Sequence, residues 1–247
     1  MNFTILSFDR LESTNTEAIS QARRGADEGL CIVARQQTAG RGRKGRTWIS
    51  EPDAGLFFSV VLRPRLEMRF LTLITLMAAV AVHDTLETLY KIDCDIKWVN
   101  DIHVSGKKIC GILAETCETP PGLAVVVGIG INLKSSNFPP EIAETATSIE
   151  AETNQIPSLE ILLQKLTFFL SEFAAILDGA SGAEKIRGEW TRRSSYAFGK
   201  NVRVVVENET IHGTTYGIEE NGALRLRLDS GEIRIVHAGD VEKLRTI

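Results

Sequence analysis

The chain has 247 residues, enough for one large domain plus a small one with a well-buried core. Its apolar share of 43% and charged share of 24% are those of an ordinary globular chain. A formal net charge of −4 and a pI near 5.7 argue against a broad nucleic-acid-binding surface.

The N-terminus has no basic segment followed by an apolar one, so no signal peptide is expected. The longest apolar run, Leu71 to Val82, is too short to span a bilayer and fits a buried helix, so no membrane partner is expected. Cys31, Cys94, Cys110 and Cys117 form no C-x-x-C pair and have no histidine cluster nearby. They read as free thiols, and the expected compartment is the cytoplasm.

Phe3 to Phe8 alternates apolar and polar residues and predicts a strand. A helix should then run from Ser13-Thr14-Asn15 to about Arg24 and stop at Gly25. Thr14 and Glu17 have capping-box spacing, while the first helical turn could also present hydroxyl and N–H groups to a ligand. Cys31 to Ala34 predicts a short buried strand that delivers Gln36 and Gln37 to the next segment.

That segment, Gly40-Arg41-Gly42-Arg43-Lys44-Gly45-Arg46-Thr47-Trp48, alternates glycines with four cations. Glycine lets a ligand approach the main chain, and guanidiniums match phosphate and carboxylate oxygens. A plain solvated turn does not need this spacing. Gly40 to Thr47 comes within one residue of G-x-x-x-x-G-K-[ST], but Pro52 and Gly55 follow where a P-loop requires a helix. The stretch reads as a local anion-binding loop of another kind.

Leu56 to Leu62 predicts a strong strand, and Leu66 to about Tyr90 a long core helix. Ile96 to Glu115 reads as strand, turn at Ser105-Gly106, strand; Asn100 and Asp101 are poor β-formers within it. Val125 to Leu133 is a strand holding Gly128 and Gly130. It is not G-x-G-x-x-G, because Leu133 stands at the last glycine, and its glycines mark a ligand or backbone passing close by. Helices are expected over Leu159 to Leu177 and Ala183 to Arg193. From Gly199 short alternating strands, with turns at Glu220-Asn221-Gly222 and Asp229-Ser230-Gly231, describe a small β-barrel.

Four blocks in order make the chain resemble the biotin–protein ligases. They are Ser13-Thr14-Asn15; Gln37 to Arg46 with Trp48; Lys97-Trp98-Val99-Asn100-Asp101 with Lys108 and Gly111-Ile112-Leu113; and Gly128-Ile129-Gly130-Ile131-Asn132. The resemblance covers nearly the whole chain, and the basic loop is its most specific part. The family usually has Pro where Val99 stands. Its longer members carry an N-terminal helix-turn-helix; this chain begins at the catalytic blocks, so DNA binding is not expected.

The resemblance implies an α+β fold, a central mixed β-sheet flanked by helices as in class II synthetases, with an SH3-like barrel. Residues 1–195 would form the catalytic domain and 196–247 the barrel. It implies ATP and Mg2+ as cofactors and biotin as substrate, joined through biotinyl-5′-AMP to a lysine of a biotin carboxyl carrier domain. A homodimer paired through sheet edges is one assembly the family allows. Lys108 and Arg43 would be catalytic. Ser13, Thr14, Asn15, Gln37, Arg41, Gly42, Arg43 and Lys108 would bind biotin, with Gly111, Gly128 and Gly130 leaving room for its flat rings. Trp48 would pack on the valeryl tail or the loop. Arg41, Arg43, Arg46, Lys108 and Asn132 would meet ATP, and Asp101 the carrier lysine or Mg2+; no metal site made of protein side chains alone is expected. A lipoate–protein ligase and a non-catalytic biotinyl-AMP sensor are the alternatives. The hydroxyl and amide donors of Ser13, Thr14, Asn15 and Gln37 argue against the first, and Lys108 against the second.

Overall fold

The structure, a computed structural model, describes residues 1–134, 138–206, 209–237 and 239–243. Strands β1 (Thr4–Leu11), β2 (Leu30–Gln37), β3 (Gly55–Leu62), β4 (Asp95–Lys97), β5 (Asp101–Val104), β6 (Lys107–Thr119) and β7 (Gly122–Asn132) make one sheet. Their spatial order is β1-β2-β3-β7-β6-β5-β4; only the β1–β2 pair is parallel, so the sheet is mixed.

The period-2 alternation of the strands sends their side chains to two cores. Helix α1 (Thr14–Arg23) covers one face, where Ala18 and Ala22 pack on Ile32, Val61 and Val126. The opposite face carries Cys31, Val33, Phe58, Val60 and Val127, covered by α2 (Thr72–Tyr90). Helices α5 (Leu159–Asp178) and α6 (Gly182–Arg193) pack against α2 in turn; two short helices, α3 (Pro140–Ala143) and α4 (Ile149–Thr153), precede them. The stretch Met68–Tyr90 is long and apolar enough to cross a membrane, but 78% of its apolar window is buried within the fold.

Beyond α6, β8 (Phe198–Val206), β9 (Glu209–Ile218), β10 (Leu224–Arg227), β11 (Ile233–Val236) and β12 (Asp240–Lys243) form a five-stranded antiparallel sheet ordered β11-β10-β9-β8-β12. This matches the small β-domain expected from the alternating pattern, with β12 as an additional strand. Positive φ at Gly222 and Gly231 supports the turns placed there.

Three local expectations are corrected. Thr14 and Glu17 form no capping box: Ser13 is the N-cap residue without a side-chain cap bond. The Thr14 N–H goes to Gln37 Oε1 at 2.8 Å, and Glu17 receives Gln21 Nε2 instead. The long core helix begins at Thr72, not Leu66, because Glu67 is extended and a 3-10 turn occupies Met68–Phe70. Ile96 to Val104 is not one strand. The chain reverses at Trp98-Val99-Asn100, where the Trp98–Val99 peptide is cis, and β4 pairs antiparallel with β5. The poor β-formers Asn100 and Asp101 therefore stand at a turn and a strand start. The turn at Ser105-Gly106 is present, with both residues at positive φ.

Candidate active site

A cavity of about 420 Å³ lies where β3, β6 and β7 meet the start of α1 and the glycine-rich loop. Every predicted site residue lines it: Ser13, Thr14 and Asn15 from α1; Gln37 from β2; Arg41, Gly42, Arg43 and Arg46 from the loop; Asp101 from β5; Lys108 and Gly111 from β6; Gly128, Gly130 and Asn132 from β7.

One end of the cavity is lined by a network of amide and hydroxyl groups, with the Glu115 carboxylate behind it. Gln37 Oε1 accepts from the Thr14 N–H at 2.8 Å and the Thr14 hydroxyl at 3.2 Å, while Gln37 Nε2 donates to Ser50. Beneath them the fully buried Ser59 hydroxyl stands 2.8 Å from Thr14 Oγ1 and 2.6 Å from Asn15 Oδ1. Asn15 Nδ2 donates to Leu113 O and to Glu115 Oε2. Buried amides and hydroxyls held in this way have fixed donor and acceptor directions, which suits a neutral, planar, polar ligand group.

The other end is cationic. Lys108 Nζ lies 2.7 Å from Asp101 Oδ1 and 5.3 Å from the Trp48 ring centre. Its backbone is pinned on both sides: Lys108 N donates to Thr145 O, and Lys108 O accepts from Thr147 N at 2.9 Å. Asn132 Nδ2 reinforces that clamp, reaching Thr147 O at 2.9 Å and Lys108 O at 3.4 Å. Asn132 therefore orients Lys108 as well as lining the cavity. Arg43 Nη1 donates to Asn100 Oδ1 at 3.0 Å, and Asn100 Nδ2 donates to Ile112 O, which ties the loop to the turn after β4.

The loop is a small irregular hairpin. Arg41 bridges to Thr47, Gly42 N donates to Arg46 O, and Lys44 and Gly45 take positive φ at its tip. It returns the chain so that the Trp48 indole lies flat against β6 and β7. Added methyl carbons at Gly111 and Gly130 would stand 2.7 and 2.5 Å from that ring, and one at Gly128 would stand 2.2 Å from Asn15 Oδ1. These glycines make room for the chain's own Trp48 and Asn15, rather than directly for a ligand ring. The Trp48 N–H is buried and has no acceptor among the described residues.

His103 is a further cavity residue, opposite Lys108 across the β5–β6 pair. Its Nδ1 meets the Gly106 carbonyl at 3.2 Å, so Nδ1 carries the proton. Burial, reinforced by the charges of Lys97 and Lys108 and opposed by Asp101, pushes its pKa down to about 4. The four cysteines are all buried and unpaired, and burial raises Cys31 and Cys94 to about 12.

Ser59, Glu115 and His103 were given no role by sequence reasoning. Ser59 had one signal, as the sole hydroxyl within the apolar run Leu56 to Leu62. Glu115 had none, because its partners Asn15 and Arg41 lie on other elements; the contact of His103 is to Gly106 in its own hairpin and does not point to the cavity.

The fold and cavity define an enzyme class, and the chain belongs to the biotin/lipoate A/B protein ligase family, whose model matches residues 7–132. A second model, the biotin protein ligase C-terminal domain, matches residues 197–244. Among curated relatives, the bifunctional ligase/repressor BirA of Bacillus spizizenii is 36% identical over 95% of this chain and 72% of its own length. The biotin–[acetyl-CoA-carboxylase] ligase of Paracoccus denitrificans is 33% identical over 94% of this chain and 97% of its own. Among solved structures, the Aquifex aeolicus biotin protein ligase in complex with biotin and ATP superposes with a TM-score of 0.84. It is 28% identical and covers 98% of this chain and 99% of that one.

Proposed function

We propose that the chain joins biotin to a lysine of a biotin carboxyl carrier domain, using ATP and passing through biotinyl-5′-AMP. The observation that carries this reading is the polarity of one cavity, with neutral amide and hydroxyl groups at one end and Lys108, Arg43 and Arg46 at the other. Biotin has the same polarity: an uncharged ureido ring, an apolar tail and a terminal carboxylate.

In the first half-reaction the biotin carboxylate oxygen attacks the α-phosphorus of ATP, and pyrophosphate leaves with the electrons of the broken P–O bond. Two anions must meet in line, so fixed positive charge lowers the barrier. Lys108, its main chain held by Asn132 and residues 145–147, would stabilise that charge, with Arg43 and Arg46 on the phosphates. In the second, the amine of the carrier lysine attacks the acyl carbon, AMP departs, and the amine loses its proton; Asp101 is the carboxylate beside Lys108. Magnesium would be held chiefly on the nucleotide and would neutralise phosphate charge. The described carboxylates lining the cavity are Glu51 and Asp101, and Asp101 is already engaged by Lys108, so phosphate oxygens would supply most of the metal's ligands. Trp48 would cover the intermediate and exclude water. ATP use together with unpaired buried thiols supports a cytoplasmic setting.

ATP–pyrophosphate exchange tests the reading. Exchange should require biotin, and Lys108→Ala should reduce it by about 10²–10³-fold without changing the folded-state circular dichroism. Exchange driven by lipoate instead of biotin would overturn the substrate, and no exchange with either would overturn the chemistry.

A further inference from the structure

The cavity's neutral end and its basic loop are joined by one carboxylate. Glu115 lies on β6 two residues beyond Leu113, so both face the cavity side of the strand with Gly111. Its Oε2 accepts from Arg41 Nη2 at 2.7 Å and from Asn15 Nδ2 at 2.8 Å. The Glu115 side chain is 26% exposed and that of Arg41 43%, so the shielding from water is on the carboxylate side of the pair. Through Asn15 the contact continues to Ser59, Thr14 and Gln37. A continuous polar chain thus runs from the groups expected to grip the ureido ring to the first arginine of the loop.

We propose that Glu115 is a positioning residue that latches the loop to the head-group pocket by holding Arg41 and Asn15 on one carboxylate oxygen. The proposal rests on the reading of this cavity as a biotin site. It assigns Arg41 a role as the loop's anchor, distinct from Arg43, which reaches Asn100 at the cationic end. These two tethers lie on opposite sides of Gly42, beside the contacts that Arg43 and Lys44 make to Gly239 and Val205. Losing the Arg41 tether frees a glycine-bearing segment whose ordering costs conformational entropy that ligand binding must then supply.

A double-mutant cycle on the full-length protein tests the latch, with biotin affinity measured by calorimetry and loop exposure by tryptic cleavage after Arg43, Lys44 and Arg46. Glu115→Ala and Arg41→Ala should each weaken biotin by about tenfold, the size of a charge-assisted hydrogen bond. The double variant should be no weaker than the worse single one. Both singles should speed loop cleavage and raise KM for biotin more than they lower kcat of exchange. Glu115→Gln, which keeps an acceptor oxygen for Asn15 and Arg41 but not the charge, should fall between wild type and Glu115→Ala; it also serves in the cycle if Glu115→Ala fails to fold. Additive losses, or unchanged cleavage in the Glu115 variants, would overturn the latch while leaving the biotin site standing. Absence of biotin binding by the wild type would overturn both.

Discussion

Gly128, Gly130 and Gly111 show how a single missing Cβ can carry a site. At Gly128 a methyl would collide with the Asn15 amide, which is itself held by Ser59, Leu113 and Glu115 and cannot simply swing away. Gly128→Ala is therefore expected to cost about 1–3 kcal/mol of stability by overpacking and to abolish biotin-dependent exchange; urea melts and the exchange assay check both. Sequence made the cations and glycines legible, because a run of arginines between glycines is unusual in any context. It did not make their partners legible. Ser59 meets Asn15 across 44 residues and Glu115 meets Arg41 across 74, and no local pattern encodes such distances. His103 yields a pH prediction. Its pKa is about 4 when folded and near 6.5 when unfolded, so the unfolded chain takes up the proton first as pH falls. Its contribution to stability is complete above pH 6.5 and is lost progressively down to about pH 4, by about 3 kcal/mol. His103→Gln should flatten that part of the pH–stability profile measured by urea denaturation.

Among the elements, the strands other than β12 and the long helices are readable from periodicity, and their ends are not. Leu66 looked helical by composition, yet extended Glu67 and the 3-10 turn after it delay α2 to Thr72. Ile96 to Val104 looked like one strand because its apolar residues alternate, whereas the reversal at Trp98-Val99-Asn100 uses tertiary contacts: Asn100 binds Ile112 O and Arg43. The packing of α6 on α2, where Ile186 and Trp190 are fully buried, includes an ion pair equally invisible in sequence. Arg193 donates to both oxygens of Asp84, at 2.5 and 2.8 Å, with both side chains under one-fifth exposed. Burial pushes the Asp84 carboxyl up, but hydrogen bonds from His83 and Arg193 more than offset it and leave the group below its ordinary range. Removing one partner strands the other, so Arg193→Ala should destabilise the fold by about 3 kcal/mol in thermal or urea melts.

Across the whole molecule, the C-terminal strands are fastened to the larger sheet domain. Val202, Val204, Leu224 and Val236 belong to the same buried cluster as α2 and β3. The Trp98 Nε1–H donates to Gly222 O at 2.9 Å inside that joint, and Arg43 and Lys44 of the loop reach the carbonyls of Gly239 and Val205. A shared core of this kind predicts that circular dichroism and tryptophan fluorescence will report one coincident unfolding transition. Trp98→Phe, which leaves the Gly222 carbonyl without that donor, should lower its free energy by about 1–3 kcal/mol.

The seven-stranded sheet ends differently on its two sides. At β4 the Ile96 carbonyl accepts from the Ser194 hydroxyl, and the Ser195 N–H donates to the Asp95 carboxylate, so residues 194–195 lie along this edge. At β1 the strand is exposed along most of its length, including Ile5 and Leu6. A sheet with one closed edge and one open edge has a single place left to extend. Any pairing along β1 between two copies uses that place on both at once, so growth of this sheet stops at a closed pair.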